Sequence, residues 1–187
     1  MEELIRLDHE VFLFLNNLGT PAWDGFWRAI SNKFTGIPLY ILLIYLLYRN
    51  FGWKNTVLSV LVIALLITST DQLANLFKDG FQRLRPCRQE GIMEQARFVA
   101  VRCGSYGYFS AHASNSMGVA VFLILLFRGI YKKWIYLILL WPLLASYSRI
   151  YLGVHYPADI LTGMTIGGIL GYIYYLFHLF LRKKFRV

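Results

Sequence analysis

Charge is what this sequence has least of. Only 16% of its 187 residues are Asp, Glu, Lys or Arg, where a soluble domain carries about 25%. An ordinary water-soluble enzyme is excluded on that ground. Acidic residues are scarcer than basic ones, 10 against 19. Cysteine is confined to Cys87 and Cys103, too few for a disulfide framework. Long polar linkers and low-complexity segments are missing, and no room is left for a second domain, so residues 1–187 read as one domain. The opening MEELIRLDHE is acidic, with no basic stretch and no small-residue cleavage site, and no secretory signal is expected. What is abundant is apolar: 57% hydrophobic, 17% aromatic, with a mean hydropathy of +0.50. The formal charge of +9 would suggest nucleic acid on a soluble protein. On a membrane protein it first marks basic inner loops, and no nucleic-acid partner is expected.

Apolar runs occupy residues 34–48, 56–77, 120–127, 134–147 and 160–181, the third belonging to a helix that starts near Ser110. Each is bounded by Arg, Lys, Pro or Gly, as interface helix ends are. The reading is an all-α, polytopic membrane bundle of five to six spans. Arg49 and Lys54 flank one connection, Arg128, Lys132 and Lys133 another, and Arg182, Lys183, Lys184 and Arg186 the C-terminus. These alternate ends are assigned to the cytoplasm, which leaves loop 79–109 and connection 148–157 outside. Residues 11–18 are too short to span. Trp23, Phe26, Trp27, Ile30 and Phe34 recur at helical spacing opposite Asp24, Arg28 and Lys33, and Thr20-Pro21 is a helix start. Residues 1–32 are therefore expected to form interfacial helices on the outer side, with a sixth, tilted span as the alternative.

The outer side should be poor in Lys and Arg, yet it holds Lys78, Arg83, Arg85, Arg88, Arg97, Arg102 and Arg149. Arg88, Arg97 and Arg102 are read as solvated loop charges. Lys78, Arg85 and Arg149 sit at span ends beside a His or a Pro. Converging cations of this kind make a site for a multiply charged oxyanion, with Arg offering forked donors that match phosphate.

These residues carry a family resemblance. Lys78-DGFQRL-Arg85-Pro86 resembles the Lys-x6-Arg-Pro motif of the type 2 phosphatidic acid phosphatases, membrane relatives of the vanadium haloperoxidases. Phe109-Ser110-Ala111-His112 is similar to that family's Pro-Ser-Gly-His, with Phe for Pro and Ala for Gly. Ser148-Arg149-IYLGV-His155-YPA-Asp159 matches its Ser-Arg-x5-His-x3-Asp at every specified position. The motifs run in the family's order across residues 78–159.

The resemblance implies a lipid phosphatase working through a phosphohistidine. His155 is the expected nucleophile, since a near-neutral imidazole can attack phosphorus and leave again. Asp159, one helical turn on, would hold the far ring N–H and stabilise the developing cation. His112 is the expected general acid for the leaving group. Ser110 is a natural N-cap, and the amides of Ala111 and His112 would bind oxyanion at the helix N-terminus. Lys78, Arg85 and Arg149 would hold the non-bridging oxygens, with Ser148 assisting. No metal-ligand cluster is visible, and neither metal nor cofactor is expected.

The remaining polar residues are given structural roles. Asp71 is expected to pair with another helix, Ser114, Asn115 and Ser116 to bond between helices, and His9 and His178 to sit at interfaces. Cys87 and Cys103 share the outer loop, where a bridge and free thiols are equally allowed.

Among the lipids the resemblance allows, undecaprenyl diphosphate leads, Arg83 and Arg88 offering extra charge to a second phosphate. Phosphatidylglycerol phosphate, phosphatidic acid and lipid A 1-phosphate are the alternatives. The expected setting is the bacterial inner membrane with the site on the outer face, the partners being a lipid phosphate and the bilayer. A haloperoxidase is disfavoured because those relatives are soluble and much larger. A non-catalytic lipid-binding or transport protein is disfavoured because both motif histidines and the aspartate are kept.

Overall fold

The computed structural model describes residues 2–32 and 34–186; Lys33, placed above on a polar helix face, lies outside them. Six α-helices account for most of the chain: α1 (Glu2–Asn17), α2 (Pro21–Ser31), α3 (Ile37–Phe81), α4 (Ala111–Tyr131), α5 (Leu140–Tyr151) and α6 (Pro157–Phe185). Short 3₁₀ stretches cover Pro86–Arg88 and Lys132–Leu139. No strand occurs among the described residues; Leu84 and Tyr106 meet only in an isolated antiparallel bridge.

The 45 residues of α3 would reach about 68 Å if straight, over twice the apolar thickness of a bilayer. They do not run straight. Gly52 takes φ 75°, ψ 170°, a backbone state that costs glycine little and other residues much. The chain folds back there: Leu43 and Leu47 from the first arm line one apolar cavity with Val60, Ile63 and Ile67 from the second. A second reversal follows α4, where Lys132 has φ 50°. The 12 residues of α5 cover only about 18 Å. The preceding eight 3₁₀ residues add about 16 Å, so residues 132–151 complete one crossing. With α6 this makes five spans, in three helical stretches long and apolar enough to cross a membrane. At 16 residues, α1 covers about 24 Å and stops short of a crossing. It and α2 lie against α5 and α6 instead, with Phe12 fully buried.

The connections carrying the three acid-free basic patches meet at one end of the bundle. Asn50 Nδ2 donates to the Tyr131 hydroxyl at 3.0 Å, and the Arg182 guanidinium lies 5.9 Å from the Phe51 ring centroid. The ends of α3 and α5 and the starts of α4 and α6 lie at the other end, where the sequence motifs are.

α4 and α6 approach more closely than apolar side chains would permit. Gly163, Gly167 and Gly171, four residues apart, face the backbone of Ser110, Ser114 and Gly118. A Cβ at Gly167 would sit 2.2 Å from the Ser114 carbonyl oxygen, and one at Gly171 would sit 2.4 Å from that of Gly118. In lipid, where apolar surface gains little by leaving its solvent, such close backbone packing drives association. Polar pairs add to it: Ser69 with Tyr174 at 2.6 Å and Asn115 Nδ2 donating to Asp71 at 2.8 Å. Asp71 thus has the helix-to-helix partner the sequence suggested. Ser114 and Ser116, by contrast, bond carbonyls of their own helix. His178 also departs from expectation. It is buried in the bundle, 1% exposed, with Nε2 3.0 Å from Ser59 Oγ, because one polar partner inside the bundle outweighs its place near the basic end.

Gly167→Ala should therefore lower the melting temperature of the detergent-purified protein sharply, at a cost of roughly 3 kcal/mol or more. Gly168→Ala, whose Cβ would meet only Met117 and Val121 at 3.9 Å, should be neutral or slightly stabilising. Equal effects of the two would contradict this helix register.

Candidate active site

Pro157 starts α6 at its first position, and Asp159 falls in the first turn. Its carboxylate Oδ2 accepts the backbone N–H of Tyr156 at 3.0 Å, half of a capping box. The same oxygen lies 3.3 Å from His155 Nδ1. Both residues are buried, His155 at 3% and Asp159 at 0% exposure. Burial drives the His155 imidazole down to about 3, against the upward pull of the Asp159 carboxylate. The ring is therefore neutral at physiological pH, with Nδ1–H directed to Asp159 and Nε2 carrying the lone pair.

Cations gather around the two motif histidines. Arg85 and Arg149 act electrostatically on His155, and Lys78, Arg85 and Arg149 all act on His112. Arg85 Nε donates to the Tyr106 carbonyl at 2.8 Å and its Nη1 to that of Val154 at 3.4 Å. Burial holds the Arg85 guanidinium below the usual arginine range, Asp159 offsetting it in part. Arg149 donates to Ser31 Oγ, and its Nε is buried without a partner among the described residues. None of the three cations pairs with a carboxylate within ion-pair distance among the described residues. Ser110 stands at the N-cap of α4, but its hydroxyl makes no capping bond and is buried unpartnered. Its own N–H donates to the Asp159 carbonyl at 3.1 Å, fastening the start of α4 to that of α6. The first-turn amides of Ala111 and His112 have no intrahelical acceptor.

Six of the sequence-predicted residues thus share one end of α3–α6 with Ser110 and Ala111. Other expectations are corrected. Ser148 donates to the Ala145 carbonyl of its own helix at 2.6 Å, so that proton is committed. Arg97 is no solvated loop charge: it pairs with Asp24 at 3.0 Å and lies 5.7 Å from the Tyr151 ring centroid. Arg83 does not join Lys78, Arg85 and Arg149. Its Nη1 donates to Asp159 Oδ1 at 2.9 Å and its Nη2 to Asp8 Oδ2 at 2.5 Å. Arg88, exposed, donates to the Cys103 carbonyl at 3.4 Å. His9 stacks on Tyr156 with centroids 4.8 Å apart, so it is a packing histidine beside the site.

Some contributors were invisible in the sequence. Ser31 lies on an amphipathic helix without any motif. Gly107 is required by space, since a Cβ there would lie 3.1 Å from Arg85 Cγ and 3.2 Å from Asp159 Oδ2. Turn glycines are common, and only the fold tells this one apart.

A buried imidazole–carboxylate pair facing unpaired cations at a membrane helix end defines a class: membrane phosphatases. The sequence profile of the PAP2 superfamily matches residues 55–183, and the chain belongs to that superfamily. It is 40% identical over 179 residues to a lipid A 4′-phosphatase of Bacteroides thetaiotaomicron, covering 94% of this chain and 78% of the relative. A lipid A 4′-phosphatase of Porphyromonas gingivalis is 32% identical over 188 residues, covering 98% and 78%. The fold matches the crystal structure of the transmembrane PAP2-type phosphatidylglycerolphosphate phosphatase from Bacillus subtilis. That match has a TM-score of 0.74 and 18% identity, over 95% of this chain and 87% of that one. The protein is an integral membrane lipid phosphatase of bacterial type.

Cys87 and Cys103 are bridged, resolving the choice the sequence left open. The bridge closes a loop of 16 residues' separation that starts two positions after Arg85. Closing such a loop is worth about 3 kcal/mol. Cys87→Ser with Cys103→Ser should lower thermal stability by that order, and activity should fall at temperatures where the native protein still works. An unchanged melting curve would count against a stabilising bridge.

Proposed function

We propose that the chain removes a phosphate monoester from a lipid A-type glycolipid by way of a phosphohistidine on His155. The observation that carries this reading is the His155–Asp159 pair set against Lys78, Arg85 and Arg149. His155 Nε2 attacks phosphorus, an N–P bond forms, and the bond to the sugar oxygen breaks. His112 gives its proton to that oxygen. Water then attacks phosphorus, the N–P bond breaks, His112 takes the water's proton, and phosphate leaves. Asp159 holds Nδ1–H throughout and stabilises the imidazolium character of the intermediate. Lys78, Arg85, Arg149, the Ser110 hydroxyl and the Ala111 and His112 amides hold the non-bridging oxygens, where charge builds in the transition state.

The similarity to lipid A 4′-phosphatases favours the glycolipid over the polyprenyl diphosphate that led on sequence grounds. The contacts of Arg83 agree, because its guanidinium is paired with two carboxylates. The basic bundle end belongs in the cytoplasm by the positive-inside rule. The site then opens at the outer face of the inner membrane, with residues 1–32 along that interface.

Phosphate release from lipid A, undecaprenyl diphosphate, phosphatidylglycerol phosphate and phosphatidic acid tests the substrate. The expected order has lipid A first; a faster rate on undecaprenyl diphosphate would overturn it. His155→Ala should fall to the blank while remaining folded. His112→Ala should lose roughly 10²–10⁴-fold on a sugar monoester, whose alkoxide needs a proton, and less on a diphosphate. A His155→Ala protein that keeps most of its rate would refute the mechanism.

Charge neutralisation by organic cations makes a further prediction. Activity should persist in excess EDTA and be inhibited by vanadate, which mimics five-coordinate phosphorus on His155. Loss on chelation with recovery on adding magnesium or zinc would reverse that view.

A further inference from the structure

Arg83 and Asp8 have no place in the phosphate site, yet they meet its aspartate from behind. Asp159 uses Oδ2 for His155 and the Tyr156 N–H, and Oδ1 for Arg83 Nη1 at 2.9 Å. Arg83 spends Nη2 on Asp8 Oδ2 at 2.5 Å. Asp8 Oδ1 accepts the Ala158 N–H at 2.8 Å, in the first turn of α6. The Arg83 guanidinium stacks 4.3 Å over the Tyr156 ring, whose aromatic neighbours are His9 and Phe12 of α1. Burial pulls the Arg83 guanidinium down, and Asp159 with Asp8 outweighs it, so it sits above the usual arginine range. Asp8 lies on α1, well before the stretch the superfamily profile matches.

Resting on the reading of His155 as nucleophile, we infer that Arg83 and Asp8 are positioning residues that set the charge behind it, Asp8 offsetting Arg83 so that Asp159 keeps its hold on the phosphorylated imidazole. The accounting is short. Arg83 alone would neutralise Asp159 and leave the phosphorylated imidazole without support. Asp8 restores one net negative charge to the group. The other charges facing His155 are Arg85 on the loop and Arg149 on α5, both positive. His9 is the remaining titratable neighbour of Arg83 and Asp8.

The two residues therefore act with opposite sign. Asp8→Asn leaves the group neutral, so the phosphohistidine forms more slowly and breaks down faster. Arg83→Gln leaves two negative charges, so the intermediate is over-stabilised and breaks down slowly. Asp8→Asn with Arg83→Gln returns the net charge to one. A nearby charge changes such equilibria by one to three powers of ten.

The experiment is rapid acid-free quenching of the full-length enzyme in detergent with ³²P-labelled lipid substrate near neutral pH, counting trapped phosphohistidine. Asp8→Asn should lower the trapped fraction and Arg83→Gln should raise it, each by about tenfold. Turnover should fall in both, with KM little changed, because neither side chain touches phosphate. The double variant should return towards the native level, and Arg83→Lys should keep more activity than Arg83→Gln. Melting curves identify variants that fail to fold, and the double variant and Arg83→Lys then carry the test. Shifts of the trapped fraction in the same direction, or none, overturn the inference while His155→Ala still traps nothing. Trapped label in His155→Ala would instead overturn the nucleophile itself.

Discussion

The distance between the backbones of α4 and α6 governs everything else in this protein. Gly163, Gly167 and Gly171 bring α6 against Ser110, Ser114 and Gly118 with no side chain between them. At the end of that seam, the Ser110 N–H reaches the Asp159 carbonyl. The amide-bearing start of α4 and the carboxylate-bearing start of α6 are thereby held in one register. A bilayer offers little hydrophobic drive for helix association, so small residues and satisfied polar pairs must supply it. The same constraint that assembles the bundle therefore sets the spacing of the proposed catalytic groups.

On that frame the charges separate into two layers. Asp159, Arg83 and Asp8 form a closed, mutually bonded set behind His155. Of the other cations, Arg85 bonds backbone carbonyls and Arg149 a serine hydroxyl, while Lys78 feels Asp71 and Asp79 without an ion pair to either among the described residues. A carboxylate ion-paired with these cations would compete with an incoming phosphate. An unbalanced cation behind His155 would take Asp159 away from the histidine. Buried charge is expensive unless it is paired, and in the proposed mechanism the paired layer supports the nucleophile while the unpaired layer is suited to an anionic substrate.

The sequence made the spans legible because length and apolarity suffice to mark them in a bilayer. Reversals at Gly52 and Lys132 sit beside the basic patches that marked them. The motif residues were legible for a similar reason: His155 and Asp159 are one helical turn apart, and that spacing carries across any tertiary context. Arg83 was misjudged because the Lys78–Arg85 stretch gives spacing but not direction. Only Leu84 separates Arg83 from Arg85, and both arginines lie outside a helix, so their side chains are free to diverge. Arg97 and His178 were misjudged because their partners, Asp24 and Ser59, are distant in sequence and come together only in the fold.

The N-terminal helices change meaning in that light. By sequence they were amphipathic segments lying along an interface, and many such segments only anchor. Here each of them supplies a polar contact to the catalytic end. Asp8 holds Arg83 and the Ala158 N–H, and Asn16 bonds the carbonyls of Ile150 and Tyr151 just after Arg149. Asp24 binds Arg97 and the Tyr151 hydroxyl, while Ser31 receives Arg149 itself. Arg149 lies in the last turn of a 12-residue helix, which α1, α2 and the Val99–Ala100 backbone hold in place. If Arg149 binds phosphate as proposed, a frayed helix end would cost it the fixed geometry on which transition-state stabilisation depends. α1 and α2 are thus part of the site's scaffold, and the catalytic unit extends beyond the stretch that carries the three motifs.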